Sequence, residues 1–165
     1  MQTHPIIIDC DSNPVIPDRR WKIISHRKNG QLAWDPGKIE LILPEAQKTL
    51  DLMPLPAGWG KSPTGRTHRY RVNVSKLHEE MESMDALNAN ILDFLLENPS
   101  LIPEEWKKNK AIRFWGTIYD FGGPCVRYLR WRAGKWDWGY TSICGKGIDF
   151  DAYRRWFPAA ILKAA

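Results

Sequence analysis

The spacing of apolar residues changes along the chain, and it predicts strands at both ends with helices between them. Residues 6–8 form a β-branched run that ends in turn-forming residues, which is typical of a strand. In the centre, the apolar positions of residues 77–84 recur at helical intervals behind Ser75, a residue type that caps helices. A second helical stripe covers 87–97 and stops at Asn98-Pro99, because the residue before a proline disfavours the α region.

Two further extended segments, 21–26 and 31–34, flank Asn29-Gly30. Asparagine and glycine both tolerate a positive φ, so this pattern predicts a β-hairpin. A short alternation of polar and apolar residues over 38–43 predicts another strand. Pro44 follows it and favours the start of a helix, since proline fits the first helical turn.

The last third of the chain predicts a three-stranded antiparallel meander. Residues 111–119 form the first strand, 126–132 the second and 136–143 the third. The connections contain the glycines of 120–123 and 133–135, and such short connections are sufficient for antiparallel neighbours.

Two remaining segments complete the predicted domain. Residues 149–156 predict a short helix, and a small apolar tail follows Pro158. Prolines and glycines interrupt residues 53–71, whose second half is basic, so this segment predicts a flexible loop with an edge strand beginning near Tyr70. We therefore expect one α+β domain over residues 1–165, with a mostly antiparallel sheet packed on the central helices.

Composition restricts the class of protein. Three cysteines, Cys10, Cys125 and Cys144, form no Cys-x-x-Cys pair, which argues against a disulfide framework and against a zinc site. We expect no transmembrane segment, no signal peptide and a cytoplasmic location, because the sequence has no apolar run of sufficient length. No motif predicts a cofactor, and the oligomeric state cannot be read from the sequence.

Positive charge is concentrated in one window of the sequence. Residues 106–140 contain eight lysines and arginines against two aspartates, a balance of +6, whereas the whole chain has a net charge of +5. Five of the nine tryptophans lie in the same window. A basic surface that also carries aromatic rings indicates an anionic partner.

Alternation along the meander places aromatic and basic residues on shared faces. Rings beside guanidinium groups bind single-stranded nucleic acid by base stacking and phosphate neutralisation. The predicted phosphate contacts are Arg113, Arg127, Arg130, Arg132 and Lys135. The predicted stacking residues are Trp131, Trp136 and Trp138. The alternative is that Trp136 and Trp138 belong to the core under the helices, with the arginines on a solvated face.

Other candidate motifs are weaker. Asp9-Cys10-Asp11 follows an apolar strand, as in phosphotransferases that work through an aspartyl phosphate and a bound metal ion. The motif is only three residues long and no parallel α/β scaffold is evident, so two acids in a solvated turn are the favoured interpretation. A calcium loop is excluded, because Pro14 stands where a glycine is required. Gly60-Lys61-Ser62 lacks the first glycine of a phosphate-binding loop.

Several blocks together resemble a group of small uncharacterised bacterial proteins. They are residues 87–96, 101–107, 114–119, 126–131 and 136–138, with similarity also near 8–11 and 30–36. The resemblance implies a single domain without a recognised enzyme motif. It implies no activity, cofactor or catalytic residue.

These observations leave three hypotheses, of which a non-enzymatic protein that binds nucleic acid, as a single strand or as RNA, is the leading one. A protein-interaction module of the immunity, inhibitor or anti-defence type, with an acidic protein partner, is the alternative, because Trp and Arg are enriched at interface hot spots. A metal-dependent hydrolase or phosphotransferase using Asp9 and Asp11 is the third.

Overall fold

A computed structural model describes residues 4–48, 51–54, 68–142, 147–150 and 157–164. They form an α+β fold in which the sheet is mixed, with antiparallel pairs predominating. The helices are α1 (Glu45–Lys48), α2 (Val74–Ser83) and α3 (Ala89–Glu97). The strands are β1 (Ile7–Asp9), β2 (Lys22–His26), β3 (Gln31–Ala33), β4 (Ile39–Ile42), β5 (Asp51–Pro54), β6 (His68–Asn73), β7 (Asp85–Ala86), β8 (Ile112–Arg113), β9 (Thr117–Asp120), β10 (Pro124–Arg132), β11 (Lys135–Ser142), β12 (Gly147–Phe150) and β13 (Ala159–Leu162).

The main sheet follows the order β2-β9-β10-β8-β13-β4, with β11 paired to β10 and β7 paired to β13. Its one parallel register among the described pairs joins β13 to β8 at Ala159 and Arg113. The residues expected to form only a small apolar tail are thus a buried strand inside this sheet. Their apolar side chains fill positions that a tail would have left in water.

The first strand of the predicted meander is two strands, because the chain bulges between β8 and β9. Both pair with the same strand, β10: Tyr119 lies opposite Cys125, and Arg113 lies opposite Tyr128. The chain therefore advances six residues from Arg113 to Tyr119, while β10 advances only three from Cys125 to Tyr128. The extra residues bond elsewhere, since Gly116 N–H donates to the Leu87 carbonyl at 3.0 Å.

The predicted hairpin at Asn29-Gly30 does not form, although Gly30 has a φ of +77°. Strand β2 pairs with β9, and β3 pairs with β1. The Asn29 side chain instead reaches the start of α3, where its Oδ1 accepts from Asn88 N–H at 3.0 Å. Gly30 thus has the expected positive φ, but the predicted hairpin between the flanking strands is wrong.

A second sheet has the order β12-β6-β5. Its strands include both ends of the expected loop 53–71, so those ends are paired, and His68–Asn73 is a central strand of this sheet, not an edge strand. Residues 55–67 of that prediction lie outside the described residues. Asp149 and Phe150 belong to β12, which corrects the predicted helix 149–156 at its start; residues 151–156 also lie outside the described part.

Helix α3 packs its apolar side into the main core. Asn88 accepts Asn90 N–H with its side chain and so caps the first turn, as asparagine does at this position. The buried face consists of Ala89, Ile91, Leu92 and Leu95. Each buried leucine or isoleucine contributes about 1.5–3 kcal/mol relative to exposure. Within the described ranges, no helix combines the length and apolar character needed to cross a bilayer.

Candidate anionic-partner surface

The hairpin of β10 and β11 arranges its side chains as the alternation predicts. Directly opposed residues share a face, so Leu129 and Trp138 lie on the same side of the hairpin as Trp131 and Trp136. Arg127 and Tyr140 are also on that side. The pairs Arg130–Asp137 and Arg132–Lys135 lie on the other.

The tryptophan face is only partly open, because its inner part packs on the core. Trp136 contacts the main core cluster, which includes Leu129, and is half-buried. Trp138 is half-buried beside Trp21, with the ring centroids 5.9 Å apart. These two rings therefore combine a core contact with a solvent-facing edge, which lies between the two alternatives from the sequence.

Arg127 does not lie on a surface. Its guanidinium donates to both carboxylate oxygens of Asp93 at 2.9 and 3.1 Å, and it lies 4.3 Å from the Trp138 ring centroid. The residue is 3% exposed. It therefore ties the sheet to helix α3, and we correct its assignment as a phosphate contact.

Arg113 is also removed from the predicted set of phosphate contacts, since it is 0% exposed. Its Nε–H donates to Thr141 Oγ1 at 3.3 Å, and its guanidinium lies 4.8 Å from the Phe157 ring centroid. The ring that covers it belongs to Phe157, which comes just before the segment that enters the sheet as β13. The sequence did not indicate that cover, because the tail was not expected to enter the sheet.

The outer end of the hairpin keeps the combination of rings and cations. Trp131 and Trp136 make an edge-to-face pair with centroids 5.4 Å apart, and Lys107 Nζ lies 3.9 Å from the Trp131 centroid. The side chain of Arg132 is 63% exposed, and Lys135 is exposed. We call these five residues the hairpin-tip surface.

The tight turn at Ala133-Gly134 creates this surface. Both residues have positive φ, 53° and 77°, as a two-residue hairpin turn that follows the strand twist requires. The turn sets Arg132 opposite Lys135, and Trp131 opposite Trp136. Lys107 comes from a separate 3₁₀ turn, Glu104–Lys108. Sequence reasoning counted Lys107 in the basic window but could not bring it to Trp131, because the two are distant along the chain.

Two carboxylates partly neutralise this end of the hairpin. Asp137 accepts from Arg130 Nε–H at 2.6 Å and from Arg132 at 3.2 Å. Partial burial opposes ionisation of Asp137, but the hydrogen bond and charge of Arg130, with Arg132, outweigh it and lower its pKa. Lys107 pairs with Glu104 at 2.8 Å. Four cations thus face two carboxylates, which leaves a modest positive balance.

A second aromatic group lies at the other end of the same face. Trp21 stacks on Phe121 with centroids 4.7 Å apart and contacts the edge of Tyr140 at 5.2 Å. The Arg20 guanidinium lies 5.3 Å from the Phe121 centroid. Trp21 is 4% exposed, so this group fixes β2 and β9 against the hairpin. The sequence does not predict which rings belong to this group, because their contacts depend on the order of the strands in the sheet.

Asp9 and Asp11 hold a turn together. Asp9 Oδ1 accepts from Gln31 Nε2 at 2.7 Å and from Asp11 N–H at 3.1 Å, and Asp11 Oδ1 accepts from Gly30 N–H at 2.9 Å. The hydrogen bond from Gln31, followed by that from Asp11, lowers the pKa of Asp9. Among the described residues, no three Asp, Glu, His or Cys side chains gather as metal ligands. The carboxylates therefore have structural partners.

The two described thiols, Cys10 and Cys125, are buried. Burial raises the pKa of each thiol to about 11. Because the thiolate is the nucleophile, neither sulfur is activated for covalent chemistry near neutral pH.

Comparison of the chain with protein-family models, curated proteins and solved structures finds no match.

Proposed function

We propose that this protein is a non-enzymatic binding protein that holds nucleic acid, as a single strand or as RNA, at the hairpin-tip surface. The observation that carries the proposal is Lys107 Nζ at 3.9 Å from the centroid of Trp131, a partly exposed ring. Arg132 and Lys135 are the neighbouring pair at the turn, on the opposite face of the hairpin from this ring. A cation on one ring and two cations at the turn favour a polyanion that also carries stacking groups.

Binding would use two separable contributions. A base stacked on Trp131 or Trp136 contributes about 1–3 kcal/mol, and this contribution tolerates any base. Lysine and arginine that contact phosphates release counterions, so affinity for single strands falls with a slope of about −0.7 per phosphate in log K against log salt. With Arg132, Lys135 and Lys107 as contacts, the slope is about −2.

A titration of tryptophan fluorescence with single-stranded RNA and DNA oligomers at several salt concentrations tests the proposal. The double variant R132Q/K135Q should flatten the salt slope by about 1.4. The matched control is K38Q/K163Q, which removes the same charge at two exposed lysines outside the hairpin. Equal slopes in the two double variants would refute the assignment of the hairpin tip.

Stacking is tested separately from charge. Polyglutamate supplies anions without bases, so wild-type protein should bind an oligonucleotide more tightly than polyglutamate of equal charge. Trp131→Leu should weaken that preference, because one of the two stacking rings is lost, whereas Trp131→Phe should retain most of it. A wild-type protein that binds both polymers alike would exclude nucleic acid as the specific partner.

Exposed aliphatic side chains favour a second candidate, a protein-interaction module. Ile6 and Ile7 are 43% and 52% exposed, and Val15 and Ile16 are 62% and 46% exposed. Each pair consists of two consecutive apolar residues that are both exposed, whereas exposed apolar residues on protein surfaces ordinarily occur singly. Strong binding of an acidic protein that survives R132Q/K135Q and is lost in I7S/V15S would support this candidate.

The proposal includes a reducing, cytoplasmic setting in a bacterium. Its support is the pair of buried free thiols, Cys10 and Cys125, together with the sequence blocks that resemble small bacterial proteins. Binding of this kind needs no cofactor.

A further inference from the structure

The exposed members of the second aromatic group, at the end of the hairpin away from its turn, form a further stacking surface. Tyr140 is 38% exposed, and it contacts Phe121 edge to face with the ring centroids 5.7 Å apart. Phe121 is half-buried. The Arg20 guanidinium lies 5.3 Å from the Phe121 centroid, and the Arg20 side chain is 70% exposed. We call Tyr140, Phe121 and Arg20 the second anchor.

The buried ring of Trp21 fixes the orientation of the two rings of the second anchor. Trp21 stacks on Phe121 with the centroids 4.7 Å apart, and it meets Tyr140 edge to face at 5.2 Å. Only 4% of Trp21 itself is exposed. Because Tyr140 is already held by these contacts, a base that stacks on it has little side-chain freedom to remove, which favours binding.

The second anchor and the tip rings lie on the same face of the hairpin. Trp136, Trp138 and Tyr140 occupy alternate positions of β11, and side chains at alternate positions of a strand share a face. A strand rises about 3.4 Å per residue, so the Cα atoms of Trp136 and Tyr140 lie about 13 Å apart along β11. Trp138 lies between them and is half-buried. One row of rings therefore follows β11 from the turn to Tyr140.

Positive charge accompanies the rings at both ends of this row. Near the second anchor the chain carries three exposed cations, Arg19, Arg20 and Lys22. The neighbouring carboxylates are Asp18, which binds Arg20 at 2.9 Å, and Asp120, which lies opposite Lys22 in the pairing of β2 with β9. Both members of the Asp18–Arg20 pair are exposed, and such pairs contribute little, so Arg20 can exchange Asp18 for a phosphate.

We infer that a single strand of nucleic acid runs along β11 from the hairpin tip and stacks a second base on Tyr140, with Arg20 at its phosphate. This inference rests on the proposed function at the hairpin tip and adds the length and path of the site. A strand stacked as in a duplex rises about 3.4 Å per nucleotide, so a separation of about 13 Å corresponds to about four nucleotide steps. A dinucleotide is too short to reach both ends, whereas an octanucleotide is long enough.

The test compares the binding of a dinucleotide and an octanucleotide of oligoadenylate, followed by tryptophan fluorescence at low salt. The wild type should bind the octanucleotide more tightly. Tyr140→Leu should weaken octanucleotide binding about 5- to 150-fold, the equivalent of one stacked base, and should leave dinucleotide binding at the hairpin tip nearly unchanged. Tyr140→Phe keeps a ring at this position and should bind both lengths like the wild type.

Variants of the Asp18–Arg20 pair should act in opposite directions. Arg20→Gln removes one phosphate contact and should flatten the salt slope for the octanucleotide by about 0.7. Asp18→Asn releases Arg20 from its carboxylate partner and should strengthen octanucleotide binding without strengthening dinucleotide binding. The matched control is Glu40→Gln, which removes the same charge at an exposed position of β4. A gain in Asp18→Asn that is no larger than in Glu40→Gln would exclude Arg20 from the site.

The outcomes distinguish this inference from the proposed function. If neither oligoadenylate binds the wild type, both proposals fail. If both bind, but Tyr140→Leu leaves octanucleotide binding unchanged or weakens both lengths alike, the second anchor is not part of the site and the assignment of the hairpin tip is unaffected. A loss in Tyr140→Leu that is confined to the octanucleotide supports a site that extends along β11.

Discussion

Asp93 on α3 and Arg127 on β10 form a two-pronged ion pair, with nitrogen–oxygen distances of 2.9 and 3.1 Å. The Arg127 side chain is 4% exposed and the Asp93 side chain 21%. The pair crosses the interface where the helix packs on the sheet. Composition alone would predict that Arg127 contacts a ligand, whereas its partner in the structure is Asp93.

Removal of Asp93 should be strongly destabilising. Asp93→Ala leaves the Arg127 charge buried without its partner, and we expect a loss of about 3 kcal/mol in the free energy of unfolding. The double variant D93L/R127M should lose less than D93A, because it removes both charges together. Urea denaturation measures these differences.

A matched control for that prediction is Asp18→Ala. Asp18 pairs with Arg20 at 2.9 Å, but these side chains are 39% and 70% exposed. We expect a change below about 1 kcal/mol, as for ordinary surface pairs. Similar losses in D93A and D18A would contradict the structural role given to the Asp93–Arg127 pair.

Asn88 should be among the most sensitive positions in the chain. It is 0% exposed, its Nδ2 donates to the Cys10 and Arg27 carbonyls at 2.8 Å each, and its Oδ1 caps helix α3. Asn88→Ala loses the cap, about 1 kcal/mol, and removes the amide donor from both carbonyls. We expect a total loss of about 3 kcal/mol by thermal or urea denaturation.

Asn88→Ser separates the two roles of this side chain, because serine can cap the helix but cannot donate to both carbonyls. Its loss should lie between that of the wild type and that of Asn88→Ala. Equal stability of the alanine and serine variants would mean that the cap contributes nothing here.

Stability should depend on the protonation of His26. Burial, the largest cause, lowers the pKa of His26, with a further contribution from Lys28, whereas hydrogen bonds to Ser12 and Cys10 and the charge of Asp11 oppose the shift. Protonation therefore favours the unfolded chain. His26 contributes stability above its unfolded pKa of about 6.5, and this contribution is lost as the pH falls from there through the folded-state pKa.

The measurement is the free energy of unfolding from pH 8 to pH 5 for the wild type and His26→Gln. Glutamine cannot titrate, so the stability advantage of the wild type should shrink below about pH 6.5. The carboxylates titrate in both proteins and cancel in the difference. An advantage that stays constant over this range would refute the role of His26.

Two glycines should resist substitution for different reasons. An added Cβ at Gly139 would lie 2.6 Å from the Tyr128 ring, whereas one at Gly116 would lie 2.8 Å from the backbone of Ala86 and Asn88. Each alanine variant should lose about 1–3 kcal/mol through overpacking. The double variant G139A/Y128L should lose less than the sum of its single changes, because the clash disappears with the ring.

No side-chain change relieves the contact at Gly116, since backbone atoms cause it. Gly116→Ala should therefore remain destabilised in any background, including one that carries Tyr128→Leu. Thermal melts of the wild type, the three single variants and the two double variants distinguish the cases. Strict additivity at Gly139 and Tyr128 would mean that the ring moves aside without cost.

Local sequence signals predicted which helices, strands and turns form better than they predicted which strands pair with each other. The helix stripe at 87–97, the turn at Ala133-Gly134 and the faces of β10 and β11 follow from periodicity and turn chemistry, which are properties of adjacent residues. The pairing of β2 with β9 depends on contacts between distant segments. Asn29-Gly30 shows the difference, because Gly30 adopts the expected positive φ while the strands on either side pair with β9 and β1.

The candidate site shows the same difference between local and long-range contacts. The outward positions of Arg132 and Lys135 follow from the hairpin turn between them. The burial of Arg113 and Arg127 does not, because it depends on Phe157 packing on one arginine and on α3 packing on the other. An arginine at an alternating position has the same sequence pattern whether solvent or a helix faces it.

The position of β13 has a consequence for biosynthesis. β13 pairs with β4 from Ala159↔Ile42 to Leu162↔Ile39. Strand β4 is synthesised early, so it has no partner on this edge until residues near the end of the sequence are synthesised. Until then, β4 presents unpaired backbone groups that attract other strands. A ribosome that stalls before residue 159 would release a chain with an open sheet, and such a product is a substrate for chaperones and proteases.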